Sequence, residues 1–165
     1  MSTDLVFLES YSGQSTDELI DLEGTHRVDS IVLAFEQALQ SKASLTREEK
    51  VILAVEAMER EVNNGGFNQF FCNSSRDFVP DICDALSVLD CPETAELARS
   101  AMTILGVDVS MTSDDIEDIS CDASDEQNEQ LGELDAVYYR GEEPVADKLF
   151  EFIKTNRSSI TIGTP

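Results

Sequence analysis

The chain has 165 residues, of which 41% are hydrophobic, enough for one domain with a real core and too many for general disorder. Thirty-four acidic residues against 11 basic ones give a net charge of -23 at pH 7. Such a charge excludes nucleic acid and anionic membranes as partners and favours basic proteins or cations.

Apolar spacing of three and four predicts a series of helices and no strands. Residues 1–14 read as irregular. Ser15 and Glu18 form a capping-box pattern that starts a short helix, interrupted at Gly24. Val28, Ile31, Val32, Phe35 and Leu39 place a second helix over about residues 26–42. Thr46 and Glu49 make another capping box, and Val51, Val55, Met58 and Val62 follow at helical steps. That helix is expected to stop at Asn63-Asn64-Gly65-Gly66, where left-handed backbone is tolerated. A short aromatic stretch, Phe67 to Phe71, comes next. Phe78, Ile82, Leu86 and Leu89 mark a further helix, and Pro92 opens another that ends near Gly106. A short helix is placed around Ser113 to Ile119, one at about residues 125–139 on Leu131, Leu134 and Tyr138, and a last one after Pro144. The fold class is therefore all-α, a compact multi-helix single domain over residues 15–156, with residues 157–165 as a C-terminal tail.

The remaining chemistry is sparse. Cys72, Cys83, Cys91 and Cys121 form no C-x-x-C, and His26 is the single histidine, so neither a zinc site nor any other metal or cofactor is expected. The opening MSTDLVFLES lacks a basic n-region, and no segment reaches the length of a membrane span. A cytoplasmic protein with reduced thiols is the simplest expectation. No Ser-His-Asp neighbourhood, G-x-S-x-G, P-loop or H-E-x-x-H occurs, which argues against an enzyme. Acids near Cys72 or Cys121 would raise a thiol's pKa and blunt it as a nucleophile.

Charge is the distinctive feature. No lysine or arginine lies between Arg99 and Arg140, while Asp108, Asp114, Asp115, Glu117, Asp118, Asp122, Asp125, Glu126, Glu129, Glu133 and Asp135 do, with Glu142 and Glu143 just beyond. An ordinary solvated helix face mixes signs, because opposite charges four apart support it. Glu126, Glu129 and Glu133 share a helix face, where neighbouring carboxylates stand about 5–6 Å apart. DNA phosphates repeat at roughly 7 Å along a strand, so such a row can present charge at near-phosphate spacing. A loose acidic loop is the plainer alternative. Calcium fits poorly, because Asp114 to Asp118 lacks the central glycine of an EF-hand loop.

The second constellation runs from Glu61 to Ser75 and contains Asn63-Asn64-Gly65-Gly66-Phe67-Asn68-Gln69-Phe70-Phe71-Cys72-Asn73. Asn64, Gln69 and Asn73 could line an amide-rich pocket. The preferred reading is structural: glycines turn the chain, aromatics fill a core, and amides bond to backbone at helix ends.

This segment resembles the hallmark N-G-G-F-x-Q-F-F-x-N of a bacterial family of helical domains, and the resemblance extends over roughly Leu45 to Asn156. It implies an all-helical fold. One member of that family is an acidic DNA mimic that binds a helix-turn-helix transcription factor, which implies a homodimer and a basic DNA-binding protein as partner. The acidity after Asp108 makes this chain look like that member. The expected function is thus non-enzymatic: an inhibitor that blocks DNA binding, acting through Asp114, Asp115, Glu117, Asp118, Asp122, Asp125, Glu126, Glu129, Glu133, Asp135, Glu142 and Glu143. The alternative is an immunity protein that neutralises a basic nuclease toxin with the same surface.

Overall fold

The computed structural model describes residues 4–163. Among them are eight α-helices, two short 3-10 segments and no strand, so the protein is all-α. The helices are α1 (Thr16–Ile20), α2 (Val28–Leu39), α3 (Arg47–Cys72), α4 (Val79–Val88), α5 (Pro92–Leu105), α6 (Ser113–Cys121), α7 (Asp125–Tyr139) and α8 (Val145–Thr155). They belong to two compact units, one of residues 1–56 with 145–165 and one of residues 57–144.

In the first unit, both expected capping boxes form. The Ser15 hydroxyl accepts from the Glu18 amide and the Glu18 carboxylate accepts from the Ser15 amide, which starts α1. Thr46 and Glu49 do the same for α3. Helix α2 spans Val28–Leu39, from the first to the last of its expected apolar residues, and is shorter at both ends than the expected range of about 26–42. His26 precedes it, in a pairing of Val6 with the chain before Arg27. Helices α1 and α8 both pack on α2. Residues 4–14 carry no helix, and residues 1–3 lie outside the described ones.

The segment after Asn156 is more than a tail. A 3-10 turn, Arg157–Ser159, folds it back, and Ile160 and Ile162 are buried. The carbonyl of Ile160 accepts from the Thr16 hydroxyl at 2.7 Å, and the Thr161 amide donates to Glu49 at 2.9 Å. Glu49 has no exposed side-chain surface and also binds Lys42 Nζ at 2.5 Å. Residues 164–165 lie outside the described ones.

In the second unit, α4 and α5 pack together, α7 packs on α5, and a 3-10 turn, Ser74–Phe78, links α3 to α4. Pro80 and Pro92 occupy the first turns of α4 and α5, where a missing amide costs nothing. Gly106, at φ 73°, closes α5 in the left-handed region. The core of this unit is aromatic: Phe67, Phe70 and Phe71 are fully buried, with the rings of Phe70 and Phe71 edge-to-face at 5.1 Å.

The helix expected to end at Asn63–Gly66 breaks there and then resumes. Gly65 (φ -152°, ψ 15°) and Gly66 (φ 83°, ψ -179°) leave helical geometry, and Phe67 to Cys72 wind again. The aromatic stretch is therefore a second helical segment.

Candidate functional site

Helices α6 and α7 carry most of the acidic run, and their starts explain how it folds. The Thr112 hydroxyl caps α6 by accepting from the Asp115 amide. Ser124 and Gln127 cap α7 reciprocally. Asp114 and Asp115 sit in the first turn of α6, Asp125 and Glu126 in that of α7. There the exposed amides and the positive end of the helix dipole offset negative charge. A stretch that forgoes opposite-charge pairs thus gains support from the helix ends. Gln127 also donates to the Ile104 carbonyl at 2.8 Å, fixing the start of α7 to the end of α5.

Helix α7 has two unlike faces. Leu131 is buried, and Leu134, Asp135 and Tyr138 are half-buried beside it. Glu126, Glu129 and Glu133 project from the opposite side and are exposed, as helical spacing requires.

The inner face serves the break in α3. A helix interruption leaves carbonyls without donors on one side and amides without acceptors on the other. The Asp135 carboxylate accepts from the Phe67 amide at 2.8 Å, capping the resumed helix. The Tyr139 hydroxyl donates to the Val62 carbonyl at 2.6 Å, closing the first segment. These residues are four apart, so one side of α7 satisfies both ends of the break. Gly66 is required twice over: its φ is left-handed, and a Cβ would lie 2.2 Å from Asp135 Oδ2. Tyr138 donates to Glu59 and stacks edge-on against Phe67 at 6.0 Å. Glu61, nearly buried, accepts from Gln69 at 2.7 Å and Asn73 at 2.9 Å, bridging the two segments. Burial raises the carboxyl pKa values of Glu59 and Asp135. The Tyr138 and Phe67 hydrogen bonds oppose this without cancelling it.

The twelve acids singled out by sequence therefore fall into two groups. Asp114, Asp115, Asp118, Asp122, Asp125, Glu126, Glu129, Glu133 and Glu142 are exposed. Glu117, Asp135 and Glu143 are half-buried and hold structure. Glu117 pairs with Arg76 at 2.5 Å, and the same guanidinium binds the carbonyls of Ser113 and Cys72. Glu143 accepts from the Thr94 amide at 2.7 Å and hydroxyl at 2.6 Å, near the start of α5. The amides split similarly. Asn68 bonds a carbonyl, that of Ser120, whereas Gln69 and Asn73 bond the Glu61 carboxylate. Sequence reasoning gave no role to Arg76, Glu61, Glu59 or Tyr139. The helical spacing of Asp135 and Tyr139 was the available signal for the last.

These features define an all-helical protein with two consecutive helices, α6 and α7, whose exposed positions are rich in acids. Among the described residues, no group of His, Cys, Asp and Glu could hold a metal ion, and no helix is long and apolar enough to cross a membrane. The chain belongs to the DMP19-like protein family, whose model matches residues 43–156. That is the DNA mimic protein family and not a known enzyme family. No curated protein and no solved structure matches the chain.

Proposed function

We propose that the protein is a DNA mimic that binds a basic DNA-binding protein and keeps it off DNA. The reading rests on one observation: eight of the nine exposed carboxylates named above, together with exposed Asp108, lie on α6, α7 and the flanking loops in a span with no basic residue between Arg99 and Arg140. Phosphate contacts dominate affinity for DNA while carrying no sequence information. Carboxylates at similar spacing compete for the same basic groups, and the shape of the surface selects among targets. In this reading the partner is a helix-turn-helix transcription factor and the active form a homodimer, as the resemblance of the Glu61 to Ser75 segment implies. No catalytic step is assigned.

Capture of partners from a lysate by the full chain, followed by competition with the partner's own DNA, tests this. DNA and the protein should exclude one another, and affinity should fall with salt. The salt slope should be shallower than the DNA slope of about -0.9 per phosphate, because a protein surface condenses fewer counterions. Changing Asp125→Asn, Glu126→Gln, Glu129→Gln and Glu133→Gln together should weaken binding strongly, while single changes cost under about 1 kcal/mol each. Wild-type binding by the fourfold variant, with DNA and protein bound at once, would sink the reading. Recovery of a basic nuclease in place of a regulator would turn it towards an immunity protein.

A further inference from the structure

Two of the four cysteines meet where the end of α6 lies against the end of α3. Cys72 ends α3 and Cys121 ends α6, 49 residues apart in sequence, with their Sγ atoms at 2.9 Å. Neighbouring bonds hold them together. Asn68 donates to the Ser120 carbonyl at 3.0 Å, and Arg76 joins the Cys72 carbonyl to Ser113 and Glu117 of α6. Cys121 is exposed and Cys72 half-buried. A disulfide requires sulfurs at about 2.05 Å, so less than about 1 Å of movement closes the bond.

We infer that Cys72 and Cys121 form a reversible disulfide that fastens α6 to the end of α3, made by exchange with a small-molecule disulfide. The accessible Cys121 loses its proton and attacks one sulfur of the oxidant, forming a mixed disulfide and expelling one thiolate. Cys72 loses its proton and attacks the Cys121 sulfur, and the second small thiolate leaves. The two released thiolates take up the two protons. One protein disulfide forms, and one small disulfide is reduced to two thiols. The second step is the slow one. In the reduced protein burial, and then Cys121 and Glu117 nearby, push the Cys72 thiol up to about 12, and burial and Glu117 still oppose its ionisation once Cys121 is in the mixed disulfide. The rate of closure should therefore rise with pH. The device is independent of what the acidic face binds.

The test uses the full chain equilibrated with oxidised glutathione, alkylated and digested with trypsin. Peptides 61–76 and 100–140 should appear joined, with the intact mass lower by two hydrogens and two of four thiols lost. The oxidised protein should melt about 5–10 °C higher, reversed by dithiothreitol, since the bond closes a long loop. Cys121→Ser should abolish both the crosslink and the shift. Four free thiols at equilibrium, a glutathione adduct persisting on Cys121, or a crosslink through Cys83 or Cys91 would each overturn the inference. The wild-type peptide map decides even if a variant fails to fold.

Discussion

The two compact units treat negative charge in opposite ways. Residues 1–56 and 145–165 contain 13 acids and seven basic residues, whereas residues 57–144 contain 21 acids and four. In the first unit basic side chains meet acids: Lys42 with Glu49, Lys154 with Glu23 and Glu151, Arg157 with Asp17, Arg27 with Asp29. In the second, Arg76 pairs with Glu117, Arg99 with Glu96 and Arg60 with Glu61, but most of the carboxylates are bound by amides and hydroxyls or left to solvent. Neutral donors stabilise a carboxylate without cancelling its charge. A unit organised this way keeps a large field while still fixing its carboxylates in place.

The largest way to break this organisation is at Gly66. Gly66→Val combines left-handed strain with a clash on Asp135, and the expected cost is about 4 kcal/mol, read by urea denaturation. A variant as stable as wild type would refute the bracing role of α7. In the first unit, Glu49→Ala leaves the Thr46 and Thr161 amides without their acceptor and Lys42 without its carboxylate, at about 3 kcal/mol.

Acid titration sharpens the contrast because the signs differ. Burial alone would raise the Glu49 pKa, but Lys42 and the two amides hold it below the ordinary value. Its contribution is present above the unfolded value, about 4.3, and is lost as pH falls through the folded value. Glu59 and Asp135 are raised. Their contribution is full below their unfolded values and lost as pH rises through the folded ones. Stability followed from pH 7 to 3 should therefore show Glu49→Gln flattening the acid loss. Glu59→Gln should instead weaken the stabilisation that protonation brings. Equal pH profiles for the two variants would contradict this assignment.

The smallest effect has the opposite sign. Gly132 lies within α7, exposed, and a Cβ added there would meet nothing within 4 Å. Gly132→Ala should raise stability by about 0.5–1 kcal/mol through helix propensity, measured by thermal melting.

What could be read from sequence depended on distance along the chain. Capping boxes, Pro92 and Gly106 act within a few residues, so the helix starts and the α5 stop were legible. The resumption after Gly66 was not, because its acceptor, Asp135, is 68 residues away. The burial of Ile160 and Ile162 likewise depends on partners such as Thr16, 144 residues distant. The acidic face was visible as a charge run, but charge alone cannot separate Glu133 from Asp135. That distinction rests on which side of α7 each occupies and on what lies opposite.

The same-side pair Asp135 and Tyr139 also acts as an index pin. Turning α7 by one residue would swing it about 100°, pull both bonds off the α3 break and carry Leu131 out of the core. The rotational setting of the helix is thus fixed from within, and none of its outward positions takes part in fixing it. Glu126, Glu129 and Glu133 can be exchanged without disturbing the mounting, so one scaffold can carry acidic, neutral or basic outer surfaces. The fold and the charge it displays thus rest on different residues of α7.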